Sequence, residues 1–220
     1  MPSNSRIAFD KSAEDVERLL EIHADVGGDS KGRRFGLEVL NKSAVVLLTA
    51  IWEAYCEDIA AEALEHIVNH VHSAVDLPKE LKKRLTQDIN SEKNELAMWD
   101  LAGDGWKARI LARLSSLMED RNRRLNTPKA NQIEELFASA IGLPEVTNAW
   151  QWNKMSAPKA RAKLDKYVEL RGAIAHRGAA ASGVKKAQVT EYLQLIRNLV
   201  SKTGGQVNSF VKSAVGSGLE

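Results

Sequence analysis

The sequence predicts an all-α protein, and three observations carry the fold class. Apolar residues recur every three or four positions along nearly the whole chain, the period of one face of a helix. No stretch shows sustained alternation of apolar and polar residues with β-branched enrichment, the pattern of a half-buried strand. One stripe, from Leu37 through Leu40, Ala44, Leu47, Leu48, Ile51, Tyr55, Ile59 and Ala63 to Ile67, persists for about eight turns and describes a long core-facing helix.

The elements follow in order. A first helix is expected to open at Ser12, with Asp15 completing a capping-box pattern, to carry Val16, Leu19, Leu20 and His23, and to end at Gly27-Gly28. The long second helix stops before Leu77-Pro78, and a shorter, charged helix begins near Pro78, whose missing amide hydrogen is harmless in a first turn. Gly103 and Gly105 break the chain before an amphipathic helix carrying Trp106, Ile110, Leu111, Leu114, Leu117 and Met118. Thr127 is placed as an N-cap with Pro128 at the first helical position; Ile133, Leu136, Phe137 and Ala140 form the apolar face, and Gly142 closes the helix. Around Trp150 and Trp152 the chain is short and irregular. The next helix begins at Pro158, turns Leu164, Tyr167, Val168 and Ile174 to the core, and finishes at Gly178. Val189, Leu193, Ile196, Leu199 and Val200 mark the last helix, which Gly204-Gly205 is expected to end. The organisation expected is an N-terminal helix and loop over 1–34, a helical domain over 35–203 and a flexible tail over 204–220.

Composition narrows the function classes. With 220 residues, 44% of them apolar, the chain can bury one substantial core. Its 31 Lys and Arg nearly balance 29 Asp and Glu, so bulk charge does not predict non-specific nucleic-acid binding, and no DNA partner is expected. Any RNA contact must come from local clusters. Cys56, the single cysteine, excludes an internal disulfide and fits a helical position as a small buried hydrophobe, so a reducing compartment is expected. No secretory leader pattern opens the chain and no apolar run reaches the length of a membrane span, so a cytoplasmic protein away from membranes is expected.

The chemistry concentrates near the end of the penultimate helix, in Leu170-Arg171-Gly172-Ala173-Ile174-Ala175-His176-Arg177-Gly178. Arg171 and His176 are five positions apart, with small residues at 172, 173 and 175 that let a second backbone or a phosphodiester approach. A guanidinium stabilises charge on a phosphoryl oxygen, and an imidazole exchanges a proton near neutral pH. At about 100° per residue the two positions differ by about 500°, or about 140° around the axis, so they do not share a helical face. Either the last turn unwinds near Gly178, or a second copy of the helix completes the pair. Basic clusters that can hold RNA are Arg121, Arg123 and Arg124 with Lys129, and Arg177 with Lys185 and Lys186, a solvated charged face being the alternative for each.

Four separated pieces, Trp52-Glu53-Ala54-Tyr55, Arg121 with Leu125-Asn126-Thr127-Pro128, Ile133 to Gly142 leading to Trp150 and Trp152, and Arg-x4-His at Arg171 and His176, resemble the RiboL-PSP-HEPN branch of the HEPN superfamily over roughly residues 35–200. The resemblance implies a HEPN-like helical bundle and a metal-independent endoribonuclease needing no cofactor, of toxin-antitoxin or antiviral-defence kind. It implies Arg171 and His176 as catalytic residues, RNA as substrate and a homodimer joined through the motif helix, and it leaves room for an antitoxin partner, such as a nucleotidyltransferase, whose identity the sequence does not give. Gly172 stands where that superfamily usually has a polar residue, which favours the alternative of a catalytically inactive module that binds RNA or a protein partner.

A competing constellation is Glu62, His66 and His70 at i, i+4 and i+8, with His72 close behind, which could furnish ligands for Zn²⁺. Spread over about 12 Å of helix, the three do not easily reach one ion, and exposed polar residues are the simpler account. The reading adopted assigns no metal ligand. Trp150 and Trp152 read mainly as core, with a stacking surface for an RNA base as the other use.

Overall fold

A computed structural model describes residues 2–27, 36–113, 127–177 and 183–219 of the chain. The described residues form helices α1 (Asn4–Gly27), α2 (Glu38–His70), α3 (Lys79–Ser91), α4 (105–113), α5 (Ala130–Ala140), α6 (Ala157–Arg177) and α7 (Lys186–Val215), with short 3-10 turns and no strand. The all-α prediction holds.

Helix α2 is the axis of the bundle. It is 33 residues, hence about 50 Å, long, and between Ala44 and Val68 only Ala50 and Glu65 are exposed. A helix apolar on most of its circumference needs neighbours on most sides. Helix α1 lies antiparallel to it, the amides of Asn4 and Ser5 meeting Glu62 and His23 meeting Asn41. Helix α7 lies parallel to it: Asn41 donates to the carbonyl of Val184, Thr49 bonds Tyr192, and Tyr55 donates to the carbonyl of Val200. Helices α5 and α6 cover the remainder. Phe9, Ala13 and Val16 of α1 belong to the same core as Trp52, Phe137, Trp150 and Tyr192.

Three helix boundaries differ from expectation, each because a distant residue supplies the local signal. Helix α1 starts at Asn4 and not at Ser12: the carboxylate of Glu62 accepts the amides of Asn4 and Ser5 at 3.0 Å each and the Ser5 hydroxyl, an acceptor for the helix start that comes from α2. Helix α5 starts at Ala130 and not at Pro128, because Asp165 of α6 accepts the Ala130 amide at 2.9 Å while Lys129 pairs with Glu169 at 2.7 Å. Its far end follows the prediction, with Gly142 at φ 74° beyond the last turn.

The third difference is the largest. Gly204-Gly205 does not end the last helix, which continues to Val215, and Val207 and Val211 are fully buried. Gly204 marks a close crossing instead: a Cβ there would lie 2.7 Å from the Tyr55 hydroxyl. Nor are the last residues a loose tail. The Leu219 amide donates to Asn208 at 2.7 Å, and the Leu219 side chain packs on the core.

The Trp150 region is irregular, as predicted, yet firmly seated. Glu145 takes a left-handed conformation ahead of a 3-10 turn over Val146–Ala149. Trp150 is fully buried, packs edge-on against Trp52 and donates from Nε1 to Thr203 at 2.9 Å. The carboxylate of Glu134 accepts from Thr147 and from Arg161, joining the turn to α5 and α6.

The two adjacent glycines of α7 give a paired prediction. Tyr55 is 2% exposed and its hydroxyl is bonded to Val200, so it cannot yield to a methyl group at position 204. Gly204→Ala should lower stability by about 1–3 kcal/mol. Gly205→Ala meets nothing within 4 Å. It should raise stability by about 0.5–1 kcal/mol through helix propensity. Thermal melts of the two variants check both signs.

Candidate functional site

Helix α6 presents a different face to each neighbour. Arg161, Asp165 and Glu169 meet the start of α5. Leu164 and Val168 enter the core. Lys163 and Tyr167 face α7. The Tyr167 and Tyr192 rings stack at a centroid distance of 4.1 Å, and Tyr167 donates to the carbonyl of Gln188 or the carboxylate of Glu191. Lys163 pairs with Glu191 at 2.5 Å, and these two contacts hold that carboxyl below the usual range. The Tyr192 hydroxyl bonds Thr49, itself bonded to the Val45 carbonyl. Burial pushes the Tyr192 phenol up, opposed by Thr49 and by the charge of Arg171.

Arg171 therefore stands one turn beyond Tyr167, half-buried, near enough to the tyrosine pair for its charge to act on Tyr192. Beside it Gly172 and Ala173 are half-exposed, Ile174 turns into the core and Ala175 is exposed. Helix α6 remains regular through His176 and Arg177, so the backbone does not unwind between the motif residues. The side chains of His176 and Arg177 lie outside the described residues, as do Arg121, Arg123 and Arg124. Lys185 is exposed at the N-cap of α7, its amide bonded to Gln188 at 2.8 Å, and Lys186 begins the helix. Within one chain the structure thus puts Arg171 and Lys186 on neighbouring helices.

An open groove of about 760 Å³ lies between α6 and α7, lined by Trp152, Met155, Lys163, Lys186, Gln194 and Asn198 among others. Sequence reading paired Trp150 with Trp152; tertiary packing separates them, Trp150 in the core and Trp152 on the groove wall. It also missed Tyr192, although that residue falls on the periodic stripe of Val189 and Ile196. A tyrosine at a core position was the available signal, because a buried hydroxyl needs a partner.

The Glu62, His66 and His70 set is otherwise engaged. Glu62 receives the first amides of α1, His66 bonds Ser217 at 2.9 Å, and the two imidazoles stack 3.9 Å apart with His70 Nδ1 on the His66 carbonyl. No cluster of three or more His, Cys, Asp or Glu suited to a metal ion occurs among the described residues. Cys56 is fully buried, and burial, with Glu57 and Glu53 nearby, pushes its thiol well up, away from the reactive thiolate.

A helical bundle without strands, carrying an Arg-x4-His pair at the end of a core-packed helix, defines the class of HEPN-like domains. The chain belongs to the RiboL-PSP-HEPN family, which it matches over residues 10–209. Neither curated proteins nor solved structures give a match. Membership in this family places the protein among nuclease or RNA-related domains. No helix among the described residues is long and apolar enough to cross a membrane.

The role of Glu62 is testable. Glu62→Ala should lower stability by about 1–2 kcal/mol, the cost of a lost helix cap, and leave any RNA-directed activity unchanged. Unchanged melting with lost activity would return Glu62 to a functional site.

Proposed function

We propose that this protein is a metal-independent endoribonuclease of toxin-antitoxin or antiviral-defence kind, cleaving RNA by transesterification. The observation that carries the reading is Arg171, half-buried beside a stacked, hydrogen-bonded tyrosine pair on the helix that continues unbroken to His176. A half-buried guanidinium keeps its charge in a setting less screened than open water, where it acts more strongly on a developing anion.

In the reaction the ribose 2′-oxygen attacks the adjacent phosphorus, its proton passes to a base, and the 5′-oxygen departs with a proton. The products are a 2′,3′-cyclic phosphate and a 5′-hydroxyl. The nucleophile belongs to the substrate, so the protein aligns it, moves protons and stabilises the phosphorane. His176 moves the proton, Arg171 offsets the charge, and Lys185, Lys186 and Arg177, with Arg121, Arg123 and Arg124, hold the strand. Chelators should not stop cleavage, and His176→Ala and Arg171→Ala should each reduce it strongly while the melting temperature moves little. Activity lost to EDTA and restored by Zn²⁺ or Mn²⁺ would overturn the mechanism.

The pair is completed by a second copy. A regular helix keeps Arg171 and His176 about 140° apart, and the strip Gly172, Ala173 and Ala175 leaves room for another α6 to approach across a two-fold axis. Ala175 is exposed, so Ala175→Glu should fold normally, yet it should give monomers without activity. Sedimentation with a cleavage assay checks this, and a fully active wild-type monomer would refute it.

A second reading, a module that binds RNA or a protein partner without cutting, is favoured by Gly172. Nothing lies within 4 Å of a Cβ built there, so packing does not demand glycine. RNA retained intact by the wild-type protein would select this reading.

A further inference from the structure

The groove between α6 and α7 is built from two kinds of wall. Its apolar side comprises Trp152, Met155, Ala187 and Leu195. Trp152 and Met155 are held side by side by reciprocal backbone bonds of 3.0 and 2.9 Å, with Lys154 at φ 63° in the turn between them. Its polar edge is a row at four-residue spacing on α7: Thr190, Gln194 and Asn198. Lys186 stands at one end, and the single carboxylate, Glu191, is already engaged by Lys163 and Tyr167.

We propose that this groove binds an unpaired nucleobase of the RNA strand whose scissile phosphate lies at Arg171. An aromatic surface beside lysines is the arrangement that single-stranded nucleic acid fits: the base stacks and the phosphates meet the cations. Carboxamides at Gln194 and Asn198 offer both donors and acceptors to a base edge. The charge is complementary, since Lys186 meets no second carboxylate in the lining, and the exposed Lys185 and Lys154 each directly precede a lining residue in the chain. The volume falls within the range of small-ligand sites. Lys163, Tyr167 and Arg171 follow one another at four-residue steps on α6, so the groove-lining Lys163 and Arg171 are about 12 Å apart along the helix axis. A short strand can span this, and the site then selects for unpaired RNA.

The inference rests on the ribonuclease reading and is tested separately from it. The probe is a short fluorescein-labelled single-stranded RNA, titrated by anisotropy against the His176→Ala protein so that the strand is not cut. Adding Trp152→Ala should weaken binding by about tenfold, with Trp152→Phe retaining most of the affinity. Adding Lys186→Gln, a surface change that leaves the fold intact, should weaken it and lower the salt dependence by about one ion. A series of probes with a single abasic nucleotide should show one position that costs the Trp152 protein affinity and costs the Trp152→Ala protein nothing further, a coupling that a merely structural tryptophan would not produce.

If Trp152→Ala and Lys186→Gln bind as tightly as their parent while Arg171→Ala does not, the groove proposal falls and the ribonuclease reading stands. If the Trp152-dependent binding is present but the wild-type protein never cuts RNA, the base site stands and the ribonuclease reading falls. A parent protein that binds no single-stranded RNA overturns the groove proposal.

Discussion

A helix with apolar residues around most of its circumference is unstable in water until other chain segments cover it, and α2 imposes that condition on this protein. Amphipathic helices can be satisfied by one neighbour; a helix in which Val45, Trp52, Cys56, Ile59 and Leu64 are all buried needs several. The antiparallel α1 and the parallel α7 supply two sides, and the ends of α5 and α6 supply the others. The parallel placement of α7 has a topological consequence: α3 to α6 must return the chain to the starting end of α2 before α7 can begin. That return brings Val184 beside Asn41 and sets Lys185 and Lys186 at the same end of the bundle as the start of α2.

The candidate site on α6 is held in place by this arrangement. Helix α6 is fixed on one side by Asp165 and Glu169 at the start of α5 and on another by the Tyr167, Tyr192 and Thr49 chain to α2. The part-buried Tyr167 hydroxyl is bonded to Gln188 and Glu191 of α7, so rotating α6 would undo that bonding and the ring stack on Tyr192 together. What remains of the α6 surface near its end is small and open: Gly172, Ala173 and Ala175. A rigid helix with a low-profile outer strip suits approach by a second backbone or by a phosphodiester.

Polar residues on α2 that look like a metal set owe their positions to the same crossings. Glu62 is where α1 begins, and His66 bonds Ser217 in the segment that follows α7. Their four-residue spacing is the spacing of one helical face, and the start of α1 and the residues after α7 both meet that face.

Much was determined by sequence alone. The helical class, the stripe of α2, the order of the helices among the described residues, the left-handed stop at Gly142 and the resemblance carried by Arg171 and His176 all follow from period, punctuation and motif. These are local properties, readable within one or two turns of chain. What the tertiary structure decided are the places where a partner far along the chain replaces a local signal: Glu62 starting α1, Asp165 starting α5, and Tyr55 requiring Gly204 inside a helix that two glycines would otherwise end. The same holds for the tryptophans, where one residue between Trp150 and Trp152 separates core from groove wall, and for Tyr192, whose hydroxyl depends on Thr49. Spacing along a sequence specifies which side chains share a face, whereas the crossing of helices specifies what that face meets.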